Sequence, residues 1–213
     1  MKTFNIVIFA CQKAPLQALL VFDQMLDMGV RMDISTLNTV MSVCEGIHKW
    51  RQALLLFNDM QRADMTPTSQ SYTSLISACG KGEQWHEALA LLDLMFSQGT
   101  IPTVESVTAA TTACMRGTVW EGALSLHRKM LMNDMMPDAP SFSTTIFACQ
   151  NGEQWQLGLS LFEEMQTAGI SMDVICFNAA LTACRKGGQH QYELSLLKEM
   201  GRLNLMPETS SLP

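Results

Sequence analysis

The sequence predicts an all-α solenoid of about six helix-turn-helix repeats, each 35 residues long. Three observations lead there. The stretch Ser71 to Met95, SYTSLISACGKGEQWHEALALLDLM, returns in altered form at 36–60, 106–130, 141–165 and 176–200, with a shortened copy from Thr3 to Met25. Cys44, Cys79, Cys114, Cys149 and Cys184 are spaced by 35 residues, and Cys11 precedes Cys44 by 33. Met25, Met60, Met95, Met130, Met165 and Met200 keep the 35-residue step throughout. Self-similarity at this period marks stacked units, each too small to bury its own apolar face.

The first helix of each copy is read from its apolar spacing. Tyr72, Leu75, Ile76 and Cys79 fall at i, i+3, i+4 and i+7 on one helical face, as do Phe142, Ile146 and Cys149, and Phe177, Leu181 and Cys184. A hydroxyl stands just before that face in most copies (Thr3, Thr36, Ser71, Ser106, Ser141), where it predicts an N-cap and therefore the helix start. Gly80-Lys81-Gly82 and Gly187-Gly188 predict the turn that follows.

In the second helix Ala88, Leu89, Leu91, Leu92 and Met95 form a broad apolar stripe. Trp50, Trp85, Trp120 and Trp155 share one phase at its start, with His190 in the last copy, and are expected to pack between neighbouring units. Pro67, Pro102, Pro137 and Pro207 stop this helix at one phase. The first copy is shorter, and Pro15 lies in its turn. No β pattern, linker or low-complexity stretch interrupts about twelve helices, so a single domain over 1–213 is expected, with repeats 1–33, 34–68, 69–103, 104–138, 139–173 and 174–208. The abrupt start and finish point to a piece of a longer chain.

Composition narrows the function classes. At 47% apolar and 16% charged, the 213 residues can bury a core, and a net charge of −6 argues against a surface that grips polyanions everywhere. No apolar run reaches the ~18 residues of a membrane helix. Six of the seven cysteines share one phase and read as small buried thiols, with Cys176 standing where other copies carry Ser or Thr. His48, His86, His127 and His190 lie in separate repeats, without ligand spacing, and read as solvated or turn histidines. No catalytic constellation, metal site, cofactor motif or small-molecule site is evident, so no enzyme is expected.

The arrangement of an aromatic followed by Asn, Thr or Ser, then A-C-x-K-G, then E-A-L-x-L-F-x-E-M and a closing G-I-x-P-D resembles the pentatricopeptide repeat family. It is strongest in Phe177 to Met200 and Ser141 to Asp173, and it extends over essentially the whole chain. The tetratricopeptide pattern, with its W-x-x-L-G-x-x-Y in the first helix, is absent.

The resemblance implies a right-handed α-solenoid that binds single-stranded RNA, one base per repeat. It implies base-reading pairs of a small polar residue after the first helix's aromatic and the residue closing the repeat. These are Asn5 with Asp33, Asn38 with Thr68, Thr73 with Thr103, Thr108 with Asp138, Ser143 with Asp173, and Asn178 with Glu208. On the family's pattern the readout is U, two poorly specified bases, G, G and a pyrimidine. The same residue types also serve as helix caps. At the family's base-sandwiching position stand Lys2, Ser35, Gln70, Glu105, Pro140 and Ile175, of which only Ile175 is the aliphatic residue the family uses.

Lys13, Lys81, Arg116 and Lys186 lie two residues after the marker cysteines and are joined by Arg185. They form a candidate phosphate row, or else they complement helix C-termini. Asp59, Asp93, Glu163, Glu164 and Glu199 collect on second helices. The implied role is organelle RNA processing, stability, editing or translation, in chloroplast or mitochondrion. A protein-binding helical scaffold is the alternative, with other proteins as partners.

Overall fold

A computed structural model of the chain describes residues 14–29, 32–203 and 205. Among the described residues there are eleven helices, each thirteen residues long: α1 (Pro15–Asp27), α2 (Ile34–Gly46), α3 (Trp50–Arg62), α4 (Ser69–Lys81), α5 (Trp85–Ser97), α6 (Val104–Arg116), α7 (Trp120–Met132), α8 (Ala139–Asn151), α9 (Trp155–Thr167), α10 (Val174–Lys186) and α11 (His190–Arg202). There is no strand among the described residues.

The expected helix starts need correction. Thr36, Ser71, Ser106 and Ser141 do not cap; they lie in the first turn, three residues after the true caps, and are buried. The side chains of Asp33, Thr68, Asp138 and Asp173 cap α2, α4, α8 and α10 by accepting from Thr36, Ser71, Ser141 and Cys176 N–H groups. A carboxylate or hydroxyl there satisfies an orphan first-turn N–H, and the helix dipole favours the charged ones. Thr68 and Ser71 form a reciprocal capping box, and Thr103 and Ser106 bond in the same reciprocal way.

The ends also differ from expectation. Gly80 and Lys81 still belong to α4, and the left-handed residue after it is Glu83 (φ 61°), not a glycine. Glu83 N–H donates to the Gly80 carbonyl, and Gln84 N–H to the Cys79 carbonyl at 2.9 Å, which is a Schellman closure. The same closing bond reaches Cys44, Cys114, Cys149 and Cys184, and its counterpart after the second helices reaches Met60, Met95, Met130, Met165 and Met200. Each marker residue therefore packs its side chain inward while its carbonyl ends its helix.

The chain divides into two compact units, residues 1–113 and 114–213. In the first, α2 pairs with α3, α4 pairs with α5, and the first helices α2 and α4 lie side by side. The Phe57 ring meets Tyr72 edge-on at 5.1 Å, joining the second helix of one repeat to the first helix of the next. In the second unit α8 pairs with α9, α10 pairs with α11, and α8 packs on α10. Phe142, Ile146, Phe162, Phe177 and Leu181 fill its core. Phe162 meets Phe177 edge-on at 5.3 Å, and His127 meets Phe142 at 4.7 Å. Burying rings of this size stabilises each junction by roughly 1.5–3 kcal/mol.

The reading of the histidines is corrected at one position. His48, His86 and His190 are exposed, but His127 is 1% exposed, and neither ring nitrogen has a hydrogen-bond partner. It takes the slot that Phe57 and Phe162 occupy in other copies, so stacking geometry overrides the usual preference of imidazole for water. Three of the four tryptophans pack between repeats as expected: Trp50 lies against Gly82, Trp120 against Gly152 and Trp155 against Gly187, while the Trp85 ring stacks on its neighbour His86.

Candidate nucleic-acid interface

The residues paired by the sequence reading are positioned by the helix starts. Among the described residues the closing members Asp33, Thr68, Thr103, Asp138 and Asp173 cap the first helix of the next repeat, and the polar members Asn38, Thr73, Thr108, Ser143 and Asn178 sit in the first turns of their own first helices. In the first unit Asn38 on α2 and Thr68 before α4 are brought together, with Asn38 Nδ2 donating to Thr68 Oγ1 at 3.4 Å. Asn38 Oδ1 accepts from Ser71 Oγ at 2.7 Å. One polar spot thus spans two repeats.

In the second unit Ser143 and Asp173 converge on Cys176. Asp173 Oδ1 accepts from the Cys176 N–H at 2.9 Å, and the Cys176 thiol lies within hydrogen-bond reach of Ser143. Burial, followed by the neighbouring Asp173 carboxylate, pushes that thiol up to about 12.

Two of the hydroxyls point their protons into their own helices. Ser143 donates to the Pro140 carbonyl at 3.1 Å and Thr73 to the Ser69 carbonyl at 2.9 Å. Each therefore offers only oxygen lone pairs to a partner. Thr73 is nearly buried, at 5% exposed. Thr108 Oγ1 is buried without a partner, and Asn178 is partly exposed. Thr103 and Asp138 are exposed caps of α6 and α8, and Asp33 is a partly exposed cap of α2. Asn5 and Glu208 lie outside the described residues.

Ser35, Gln70, Glu105, Pro140 and Ile175 are all exposed beside these spots. Ile175, at 57% exposed, offers an apolar surface on which a base could stack.

The candidate phosphate row is largely engaged with the protein itself. Lys81 Nζ pairs with Glu45 Oε1 at 2.9 Å, and Ser77 donates to the same oxygen. Arg185 Nε pairs with Glu193 Oε1 at 2.6 Å. Lys186 Nζ donates to the Gln150 carbonyl at 2.9 Å, near the end of α8, so it completes a helix C-terminus in the neighbouring repeat. Arg116 is exposed at the end of α6, and Lys13 lies outside the described residues. Sequence reasoning missed Glu45, Glu193 and Ser71 as partners of these groups. The partners lie 8 to 36 residues from them in sequence, and only the repeat phase could have paired them.

Among the described residues no group of His, Cys, Asp and Glu is placed to hold a metal ion. No helix there is long and apolar enough to cross a membrane.

Family models for the PPR repeat family match residues 32–81, for the PPR repeat residues 70–100, and for the pentatricopeptide repeat domain residues 160–209. The chain belongs to the pentatricopeptide repeat family. Among solved structures, the pentatricopeptide repeat protein PPR10 from maize matches with a TM-score of 0.68 at 24% identity, over 98% of this chain and 30% of that one. PPR10 in complex with an 18-nt psaJ RNA element matches with a TM-score of 0.63 at 22% identity, over 99% and 34%. The PPR domain of Arabidopsis thaliana protein-only RNase P 1, in complex with tRNA, matches with a TM-score of 0.72 at 13% identity, over 80% and 90%.

At these identities the likeness establishes the fold, an all-α pentatricopeptide repeat solenoid. The chain spans about a third of the length of the PPR10 chains it matches. No curated protein sequence matches it.

Proposed function

We propose that this pentatricopeptide repeat chain binds single-stranded RNA sequence-selectively, one base per repeat, without itself being an enzyme. The observation that carries the reading is the direct meeting of Asn38 and Thr68 across a repeat boundary. Two side chains from successive repeats reach one spot, as base readout by a pair of positions requires. The RNA-bound PPR10 structure, with the same fold, supports it.

Donor and acceptor inventories support the base assignments. Ser143 offers lone pairs because its proton goes to Pro140, and the Asp173 carboxylate only accepts. Together they suit the two N–H donors on guanine's pairing edge. The role is organelle RNA processing, stability, editing or translation, in chloroplast or mitochondrion, as befits the family.

A second reading, a protein-binding scaffold, is favoured by the ion pairs that already occupy Lys81 and Arg185 and by the net charge of −6. Titration of the full chain against a small pool of single-stranded RNAs, including a U-x-x-G-G-Y hexamer, separates the two. Selective binding that weakens as salt rises supports the RNA module. Equal affinity for every RNA, or none, leaves the scaffold.

A further inference from the structure

The Asn38 repeat is one that family resemblance leaves poorly specified. Asn38 is embedded in a hydrogen-bond chain whose direction can be derived. Thr68 N–H can only donate, and it donates to Ser71 Oγ at 3.0 Å. The Ser71 hydroxyl proton then has two acceptors in reach, Thr68 Oγ1 at 3.1 Å, which already accepts from the Ser71 N–H, and Asn38 Oδ1 at 2.7 Å, and the shorter contact takes it. An amide nitrogen facing that hydroxyl would waste the proton, so the amide oxygen faces Ser71. The Nδ2 group then turns to Thr68 Oγ1, a long contact at 3.4 Å that uses one of its two N–H bonds.

Ser71 is 0% exposed, so water does not compete for this proton. Asn38 and Thr68 remain accessible. The repeat thus presents an amide whose acceptor is occupied from below and whose donor is open.

We infer that Ser71 is a positioning residue that orients the Asn38 amide and makes this repeat select a base edge offering an acceptor, disfavouring guanine with its two pairing-edge donors. This rests on the RNA-binding reading above. The next two copies keep a buried hydroxyl at this place, Ser106 and Ser141, but there the base-reading positions carry Thr73 and Thr108 in place of an Asn. Position 176, equivalent to Ser71 two first helices after Ser106, carries a thiol, which donates weakly. Among the described residues, the oriented amide is seen in the Asn38 repeat, where a strong donor stands beneath an Asn.

The test is selection from an RNA pool with six random positions by the full chain, its Ser71→Ala variant and its Ser71→Cys variant, each checked for unchanged helicity and for being fully folded at the selection temperature, since loss of the capping-box hydroxyl is itself expected to lower the melting temperature. Cysteine is a safe second variant, because α10 already folds with Cys176 at this place. The native chain is expected to disfavour guanine at the position read by the Asn38 repeat, the second of the six. Both variants should lessen that bias by about fivefold, the worth of one net hydrogen bond, and leave the other positions unchanged. Ser71→Thr, which keeps the donor, should restore it.

If the native chain shows base preferences and a folded Ser71→Cys variant keeps all of them, the positioning role is overturned while the RNA reading stands. If the native chain shows no base preference at any position, the RNA reading itself fails and this inference with it.

Discussion

The indole of Trp120 leaves no room for a side chain at Gly152: a Cβ built there would sit 2.1 Å from Trp120 Cδ1. Gly152 has a φ of −81°, so its backbone does not require glycine. The ring of the preceding repeat does. Gly82 stands against Trp50 and Gly187 against Trp155 in the same way. Gly152→Ala is expected to destabilise the chain by about 1–3 kcal/mol, the usual cost of overpacking. Adding Trp120→Ala should make the second substitution nearly free, because the clash is gone. A double-mutant cycle by urea denaturation measures this coupling, and strictly additive effects would contradict the packing account.

His127 makes the stability of its repeat depend on pH. Burial lowers its pKa below the ordinary 6.5. In the folded chain the neutral ring is preferred, and the unfolded chain binds the proton more readily. Stability is therefore fully present above about pH 6.5 and is lost as pH falls toward the folded value, by up to ~1.4 kcal/mol per pH unit. His127→Phe restores the ring that Phe57 and Phe162 supply elsewhere and removes two unsatisfied nitrogens. The variant should be more stable by roughly 1–3 kcal/mol. It should also lose the part of the acid sensitivity between pH 6.5 and 5 that His127 contributes, as followed by denaturant midpoints across that range.

Thr118 holds a left-handed backbone, φ 58°, at the position where Gly188 closes α10. A β-branched residue is strained there. Thr118→Gly is expected to stabilise by about 1 kcal/mol, since the relief of strain exceeds the added freedom of the unfolded chain. The thermal midpoint should rise by roughly 2–4 °C for a chain of this size. A fall would mean that the Thr118 hydroxyl bond to the Gly117 carbonyl outweighs the strain.

What could be read from the amino acids follows from which signals are local. The helical pattern and the inward phase of the described marker cysteines and methionines come from apolar spacing, and first helices begin at Ile34, Ser69, Val104, Ala139 and Val174. Capping was misplaced by three residues because the capping box is symmetric in composition: Thr68 and Ser71 each carry a hydroxyl, and only geometry shows which lies outside the helix. Gly187-Gly188 makes the expected turn, with Gly188 left-handed at φ 64°, but the turn after α4 was misplaced because glycine serves another end there. Gly82 makes room for Trp50, while the strained left-handed step falls on Glu83. The ion pairs of Lys81 and Arg185 were illegible because their partners come from another repeat or another helix.

The six described cysteines should be chemically silent in the folded chain. All are free and buried, and burial pushes Cys44 and Cys114 up to about 11 and Cys79 up to about 12. The reactive thiolate is therefore scarce at neutral pH. Cys44, Cys79, Cys114, Cys149, Cys176 and Cys184 are expected to resist alkylation in buffer and to react fully in denaturant, as read by mass spectrometry. Rapid native labelling of any of them would show that its repeat opens locally.

Asp173 is both the cap of α10 and half of a proposed base-reading pair, and the two roles can be separated. As a cap its Oδ1 accepts from the Cys176 N–H at 2.9 Å. Asp173→Ala removes that acceptor and should cost about 1 kcal/mol of stability with no RNA present. Asp173→Asn keeps an oxygen for the cap and so should nearly preserve the melting temperature. It also replaces part of the acceptor-only carboxylate with an amide donor facing the same direction as guanine's N–H groups. Guanine preference at the nucleotide read with Ser143 should then fall by about tenfold, in line with the ~1–3 kcal/mol of a good base-edge contact. Melting curves without RNA and base preferences from a randomised pool give the two readouts independently. An Asp173→Asn variant that keeps both its melting temperature and its guanine preference would leave Asp173 as a cap alone.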